Sequence, residues 1–432
     1  MTHQRTPNER EKLNEPRDKF QALMERVMRD NPFYRAKYEP LGFSARRPPT
    51  FDELPHLPFT LKSELIDDQQ RHPPFGRNLT FPLSRYTRVH QTSGTTGRPL
   101  RWLDTAESWQ WWLDCWQEIY RAAEVSPDDR IFVAFSFGPF IGFWTAFEAG
   151  QRLGALVMPG GGLSSKQRLE TLLENDATVL VCTPTYALRL AEVAKENGID
   201  LASSAIRVTI HAGEPGASVP NVKSRIEAAW GARCVDHAGA TEVGAWGYSC
   251  GERNHMHINE DEFIAEVIDP ETHAPVEPDA DGVQRGELVL TNLGRVGSPV
   301  IRYRTGDLVE LTRQPCPCGR PTAVLRGGVL GRIDHMFIIR GINVFPSALE
   351  NLIRAFPEIE EFEVGVEHHR AMAELVIRIE VNGERPADVA AALQQHVHER
   401  LNLRPVVRVV DRGSLPRYEL KARRFKFSEE GR

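Results

Sequence analysis

Five short stretches of this chain hold residue types suited to handling a phosphorylated, anionic molecule. The first is Thr92-Ser93-Gly94-Thr95-Thr96-Gly97-Arg98-Pro99. Two glycines, four hydroxyls and a cation make a loop rich in free backbone N–H groups, which can converge on phosphate oxygens where no Cβ intervenes. It lacks the Gly-Lys-Ser/Thr ending of a Walker A loop. The second, Gly239-Ala240-Thr241-Glu242, sets a hydroxyl beside a carboxylate. Such a pair can hold a phosphate and its Mg²⁺ together, because Mg²⁺ takes one or two carboxylates plus phosphate oxygens. The third, Tyr303-Arg304-Thr305-Gly306-Asp307, ends in an aspartate able to accept two hydrogen bonds from a ribose diol. The fourth is Gly331-Arg332-Ile333-Asp334, followed by Arg340-Gly341-Ile342-Asn343-Val344-Phe345-Pro346. The fifth is Gly413-Ser414-Leu415-Pro416-Arg417, with Lys421 in a basic tail. Taken singly, each reads as a polar turn, a helix start or a solvated lysine. Their order along one chain is the specific signal.

The elements that must hold these stretches read as an α/β protein. Residues 130–135 form a strand and 140–152 a helix, and the apolar run 155–158 ends in Pro-Gly-Gly-Gly. Helices near 165–175, 185–197 and 220–230 alternate with strands at 178–183, 205–210 and 233–236. Repeated strand–helix–strand order predicts a mostly parallel sheet covered by helices. Ligands bind such sheets beyond the carboxyl ends of the strands. His211-Ala212-Gly213-Glu214-Pro215 and Asp236-His237-Ala238-Gly239 fall there. Shorter strands within 262–312 predict a small β-rich subdomain. Beyond about residue 333, a strand at 336–340, a helix at 347–356, strands at 361–367 and 373–381, a helix at 387–401 and a strand at 405–411 predict a compact α+β unit. The organisation expected is a large N-terminal domain, 1–333, and a small C-terminal domain, 334–432. Trp109, Trp112, Trp116 and Tyr120 recur at helical spacing and read as core.

Composition bounds the rest. Hydrophobic residues are 41% and charged residues 26% of the 432, an ordinary globular balance. A formal net charge of -6 gives no electrostatic reason to bind nucleic acid or an anionic membrane. The polar N-terminus has no apolar core of a secretory signal, and no stretch approaches the ~20 apolar residues that span a bilayer. Six cysteines (Cys115, Cys182, Cys234, Cys250, Cys316 and Cys318) are too sparse for a disulfide scaffold. These features predict a cytoplasmic protein with reduced thiols.

Together, the five stretches resemble the adenylate-forming superfamily of acyl-CoA synthetases, peptide-synthetase adenylation domains and luciferases. Within it, the match is to the phenylacetate–CoA ligase family. HQTSGTTGRP (90–99) resembles that family's phosphate loop. VCTPTYALRLAE (181–192), IRYRTGDL (301–308), GRIDHMFIIRGINVFPSALE (331–350) and GSLPRYELKARR (413–424) resemble its other signature segments. The resemblance runs from Asn31 to Arg424. It implies an enzyme that activates an aromatic carboxylic acid with ATP and Mg²⁺ to an acyl-AMP, then transfers the acyl group to coenzyme A. Transfer to an amine or a carrier-protein thiol is the alternative, since the adenylation motifs are common to both.

The resemblance also implies roles. Thr92 and Ser93 to Gly97 cradle the β- and γ-phosphates. Thr241 touches the α-phosphate, and Glu242 binds Mg²⁺. Gly213, Glu214, Pro215, Asp236, His237, Ala238 and Gly239 border the nucleotide. Asp307 holds the ribose hydroxyls, with Arg332 nearby. Lys421 bridges the carboxylate and the α-phosphate. Asp334 is the hinge about which the small domain rotates, exchanging the surface of Lys421 for that around Arg340 and Gly341. Two positions depart from the family pattern. Ala238 stands where an aromatic often lies against adenine, and His335 follows the hinge where an Asp is usual.

The segment Phe135 to Phe143, with Phe137, Phe140 and Ile141, is expected to wall the acyl pocket together with Ala212, Ala238 and Gly239. Aromatic walls beside small residues suit a flat ring. Cys250, His257, Cys316 and Cys318 offer the ligand types of a tetrahedral structural Zn²⁺, with His255 as the alternative nitrogen. Some relatives in the family carry a similar Cys…His…Cys-x-Cys pattern, which implies zinc within a subdomain at about 245–325. The resemblance is compatible with a homodimer.

Overall fold

The strand runs 131–133, 179–182 and 208–211 are buried along their whole length, as strands covered on both faces must be, whereas Leu156 in the run 155–158 is 59% exposed. The computed structural model describes residues 16–92, 99–138, 141–251, 255–333, 337–339, 342–369, 372–418 and 422–426. Helices α1 (Pro16–Asp30) and α2 (Pro32–Tyr38) are followed by α3 (Lys62–Arg71) and a hairpin of β1 (Tyr86–Gln91) and β2 (Arg101–Thr105). Helix α4 (Ala106–Ala122) carries the tryptophan stripe, and Trp109, Trp112, Trp116 and Tyr120 are buried core, as their spacing predicts. Parallel strands then alternate with helices: β3 (Arg130–Val133), α5 (Trp144–Leu153), β4 (Leu156–Pro159), α6 (Ser165–Glu174), β5 (Val179–Cys182), α7 (Pro184–Glu196), β6 (Val208–His211), α8 (Pro220–Trp230) and β7 (Arg233–Ala240). Local chemistry sets the helix starts. Thr183 accepts a hydrogen bond from the Tyr186 N–H at the head of α7, where Pro184 is pre-set for the first turn.

The antiparallel strands β8 (Gly244–Ser249), β9 (His255–Ile258), β10 (Phe263–Ile268), β11 (Val283–Asn292), β12 (Tyr303–Thr312), β13 (Val324–Arg326) and β14 (Gly331–Arg332) follow. They extend the parallel sheet and do not stand apart from it. The hydrogen-bonded order is β10-β11-β12-β13-β9-β8-β7-β6-β5-β3-β4, with β14 on β12. Strand β7 is the seam. Its first half pairs in parallel with β6, from Arg233 to Asp236. Its second half pairs antiparallel with β8, with a register break at Ala238/Gly239. An eight-residue strand is long enough to serve both partners, which a reading as residues 233–236 understates.

A separate core forms in the small C-terminal domain. The pair β15 (Phe337–Ile339) and β16 (Ile342–Val344) leads to α9 (Pro346–Arg354), β17 (Ile359–His369), β18 (Met372–Val381), α10 (Pro386–Leu401), β19 (Val406–Val409) and β20 (Phe425–Lys426). The sheet order is β19-β18-β17-β20. Leu349, Ile353, Phe362, Ile377 and Leu393 fill this core.

Candidate functional site

The carboxyl ends of β6 and β7 repeat the order His-Ala-Gly, at 211–213 and 237–239. Both histidines are buried anchors. Nδ1 of His211 donates to the Cys182 carbonyl at 3.2 Å, and Nδ1 of His237 to the Gly247 carbonyl at 2.8 Å. Burial pushes each imidazole down to about 4, so both are neutral rings at pH 7. Ala212 and Ala238 are half-buried, whereas Gly213 and Gly239 are exposed. The strand ends therefore present almost no side chain to the rim.

A run of rings backs this rim. Phe137 lies 6.2 Å from Phe135, Phe135 lies 5.2 Å from Phe143, Phe143 lies 6.3 Å from Trp116, and Trp116 lies 4.7 Å from His237, all centroid to centroid. Phe135, Phe143 and Ile141 are buried core. Phe137 is half-buried, with Trp144 at 4.6 Å and Phe147 at 5.5 Å. Gly142 has φ +43°, and a Cβ there would meet the Phe135 ring at 2.1 Å, so only glycine lets this turn fold onto the ring.

The Thr241–Glu242 turn joins β7 to β8. Glu242 is 4% exposed, and its Oε1 lies 2.9 Å from Nζ of Lys62, the first residue of α3. Burial, and then the charge of Glu242, push the Tyr303 phenol well up. Two backbone bonds between Thr60 and β12 bring Lys62 here: Thr60 N–H to the Arg302 carbonyl, 2.9 Å, and Arg304 N–H to the Thr60 carbonyl, 3.1 Å. Further along β12, Asp307 is opposite Arg332 of β14, with Nη1 donating to Oδ1 at 3.2 Å. Thr92 closes the foot of the first loop against Leu100 through two hydrogen bonds, of 2.9 and 3.0 Å.

Two carboxylates expected beside the base are already engaged. Asp236 accepts from the Ser218 hydroxyl and, at 3.1 Å, from the His237 N–H, and burial pushes its carboxyl up to about 7. Glu214 accepts from the Thr185 N–H at 2.9 Å and from the Ala422 N–H at 2.8 Å, which ties the large domain to the C-terminal tail. Pro215 is exposed beside it. Arg424 adds a bond to Thr185 Oγ1 at 3.1 Å, and Asn221 makes two hydrogen bonds to Asn351, of 3.1 and 2.9 Å. The calls on Ser93, Gly94, Thr95, Thr96, Gly97, Phe140, Asp334, Arg340, Gly341 and Lys421 lie outside the described residues.

At the far side of the antiparallel strands, Cys250, His257, Cys316 and Cys318 bring their ligand atoms within 4.8 Å of one another. His255 is not part of this group. The Cys250 and Cys316 sulfurs are 3.7 Å apart, and Cys318 Sγ is 3.2 Å from His257 Nε2. Zn–S bonds of ~2.3 Å in a tetrahedron separate sulfurs by about 3.8 Å, so the cluster fits such an ion. The other His257 nitrogen, Nδ1, is occupied by Thr322 Oγ1 at 2.9 Å, which orients the ring as an outer partner of a metal site does.

Sequence reasoning missed Lys62, Trp144, Phe147, Arg424 and the buried pair Asp104–Arg295. Only Arg295 carried a local signal, a lone cation between Gly294 and Gly297. Lys62 opens an ordinary polar helix, and its place is set by the pairing of Thr60 with a strand some 240 residues away.

Comparisons with known proteins agree with this arrangement. Residues 89–294 match the family model "AMP-binding enzyme", and 341–426 match "AMP-binding enzyme C-terminal domain". The chain is 31% identical to the phenylacetate-coenzyme A ligase of Thermus thermophilus, over 85% of this chain and 82% of that one. It is 32% identical to the Escherichia coli enzyme of the same name, over 90% and 89%. Among solved structures, 2-hydroxyisobutyryl-CoA ligase in its postadenylation state with 2-HIB-AMP superposes with a TM-score of 0.89 at 31% identity, covering 98% of this chain and 90% of that one. The same ligase with 2-HIB-AMP and CoA in the thioesterification state gives 0.71 at 32% identity over the same shares. The chain thus superposes more closely on the postadenylation form of that ligase than on its thioesterification form. No helix among the described residues is long and apolar enough to cross a membrane. The chain belongs to the phenylacetate–CoA ligase family of adenylate-forming enzymes, and is an AMP-forming ligase that makes an acyl-AMP and transfers its acyl group to coenzyme A.

Proposed function

We propose that the acid is a small aromatic one, phenylacetate- or benzoate-like. The observation that carries this reading is the rim itself: two neutral His-Ala-Gly strand ends backed by a continuous line of rings from Phe137 to His237. Small surface residues let a flat ring approach, and uncharged aromatic walls favour stacking. The names of the curated relatives point the same way. A pyrophosphate-release assay over a panel of acids tests it. Phenylacetate or a benzoate should exceed short aliphatic acids and 2-hydroxyisobutyrate by at least about tenfold in kcat/KM, the lower end of what one methylene is worth in a hydrophobic pocket. A preference for the aliphatic acids overturns the reading.

In this reading a carboxylate oxygen of the acid attacks the α-phosphorus, and pyrophosphate leaves. Like charges meet, so placed cations and N–H donors do most of the work. Thr92 to Gly97 cradle the outer phosphates and Thr241 the inner one. Asp307 with Arg332 holds the ribose, and residues 213–215 and 236–239 border the base. Lys421 bridges the two reacting anions, a task suited to a compact charge on a flexible stem. Glu242 fits a Mg²⁺ ligand, being a buried carboxylate whose partner Lys62 is 41% exposed and free to move aside. Bound Mg²⁺ supplies charge neutralisation on the phosphates. The thiol of coenzyme A then attacks the acyl carbon and AMP leaves, after the small domain, 334–432, turns against the large domain, 1–333, about Asp334.

The Cys/His cluster is read as a structural zinc site, since four protein ligands leave no open position for chemistry. Metal analysis should find about one zinc per chain. Cys318→Ser should lower both the zinc content and the thermal midpoint; a metal-free protein of unchanged stability argues against the site.

A further inference from the structure

The turn that carries Thr241 and Glu242 is only a few residues long, yet both side chains must meet one nucleotide. Two buried side chains clamp its backbone. Asn292 Nδ2 donates to the Val243 carbonyl at 2.9 Å. Arg295 Nη1 donates to the Thr241 carbonyl at 2.6 Å. The rest of the Arg295 guanidinium grips Asp104 through two parallel bonds, Nε to Oδ1 at 2.7 Å and Nη2 to Oδ2 at 2.6 Å. Both side chains of this pair are 0% exposed.

Such a pair needs a reason. Removing two charges from water costs more than their attraction generally returns, and apolar replacements of similar volume are often as stable. Geometry is what this pair supplies. A guanidinium is a rigid planar fork, so a carboxylate fixed on one side dictates where the third donor points. Trp112 and Trp102 lie against it, with ring centroids 4.3 and 5.3 Å from its central carbon. The backbone approaches closely here, since a Cβ at Gly294 would fall 2.1 Å from the Trp111 ring. Asp104 lies on β2, the strand that follows the first loop, whose foot is closed by Thr92 and Leu100. One side chain thus ties the hairpin bearing the phosphate loop to the turn bearing Thr241 and Glu242.

We infer that Arg295 is a positioning residue for adenylation: paired with Asp104, it holds the Thr241 carbonyl and sets the Thr241–Glu242 turn at a fixed distance from the phosphate-loop hairpin. This rests on the proposed roles of Thr241 and Glu242. A displacement of about 1 Å at such a turn is enough to cost ~100-fold in rate.

The test compares Arg295→Met, Arg295→Lys, Asp104→Asn and Glu242→Gln in full-length protein. Thermal midpoint, ATP–pyrophosphate exchange and the Mg²⁺ concentration for half-maximal exchange are each measured. Arg295→Met should lower the exchange rate by ~100-fold and raise the Mg²⁺ requirement by about tenfold, with the acid KM little changed. Arg295→Lys should recover about tenfold of the rate, because an ammonium reaches the Thr241 carbonyl or Asp104 but lacks the fork. It also keeps the test decisive if Arg295→Met does not fold. A loss that follows only the folded fraction, with the Mg²⁺ requirement unmoved in Arg295→Lys and Asp104→Asn but moved in Glu242→Gln, overturns the inference alone. An unmoved requirement in Glu242→Gln removes the underlying site reading, and the inference with it.

Discussion

Two buried arginines mark the two halves of this molecule's task, and they are placed differently. Arg295 keeps all its acceptors, Asp104 and the Thr241 carbonyl, inside the large domain. Arg424 grips Glu361 within the small domain, at 2.6 and 3.0 Å, and spends its third nitrogen on Thr185 across the interface. The first cluster can stay intact through every step. In the proposed turn of the small domain, the second would give up one hydrogen bond, along with those of Glu214 to Ala422 and Asn221 to Asn351. The Thr241–Glu242 turn is thus anchored within one domain, whereas the small domain is docked by hydrogen bonds that span the interface, several of them from charged groups: Arg424 to Thr185, Arg225 to the Phe356 and Ile359 carbonyls, and the Ala422 N–H to the Glu214 carboxyl.

The largest effect that can break this comparison is Arg424→Met. It leaves Glu361 buried with the Phe362 N–H at 2.9 Å and Arg354, 3.7 Å away, as its remaining cation, and should cost about 3 kcal/mol in urea unfolding. Burial works to raise the Glu361 pKa, and the bonds and charge of Arg424 overcome it, so the carboxyl sits below its usual range. The stability this pair contributes is therefore present above the ordinary carboxylate pKa and lost as pH falls through the lowered one. A cost under about 1 kcal/mol would show that Arg354 suffices and that the small-domain cluster is not anchored by Arg424.

A second effect sharpens the contrast within the large domain, where Asp236 has no cation paired with it among the described residues. Its folded pKa of about 7 exceeds the ordinary ~3.9, so between those values the folded chain holds a proton that the unfolded chain has released. Stability from this group is full below pH ~4 and lost as pH rises through about 7, by at most ~1.4 kcal/mol per pH unit. Asp236→Asn should remove that slope, as judged by denaturant unfolding at pH 5, 6, 7 and 8; equal slopes in both proteins would place the Asp236 carboxyl in its ordinary range.

The smallest effect belongs to the interface. Asn221→Ala should slow adenylation by about fivefold, the equivalent of ~1 kcal/mol, because it removes a contact made only in the present domain placement. Thioester formation from supplied acyl-AMP should not slow. Equal losses in both half-reactions would mean that Asn221 serves the fold and not the docking.

Much of the scaffold was legible because its signals are local. The runs Ile131–Val133 and Val179–Cys182 are continuous apolar segments and Val208–His211 is three β-branched residues ending in a histidine, each lying between helices and forming a buried parallel strand. The Cys/His group could be proposed from ligand types, since few uses other than a metal need that set. The pocket was read only in part. Phe135 and Phe143 proved to be core, and Trp144 and Phe147 of the next helix supply rings around Phe137 that the loop alone did not suggest. Strand β7 was read short because its two halves answer to different partners, and no periodicity within eight residues reports that.

By itself the sequence determined which residue types could meet a nucleotide and in what order they come, because a Gly-rich loop, a Thr-Glu pair and a turn aspartate owe their chemistry to immediate neighbours. Only the tertiary structure decided which charges support them. Asp104 and Arg295 are 191 residues apart, and Thr185 and Arg424 are 239 apart. Pairings over such spans follow from how the sheet and the two cores pack, and packing leaves no mark on the residues next door.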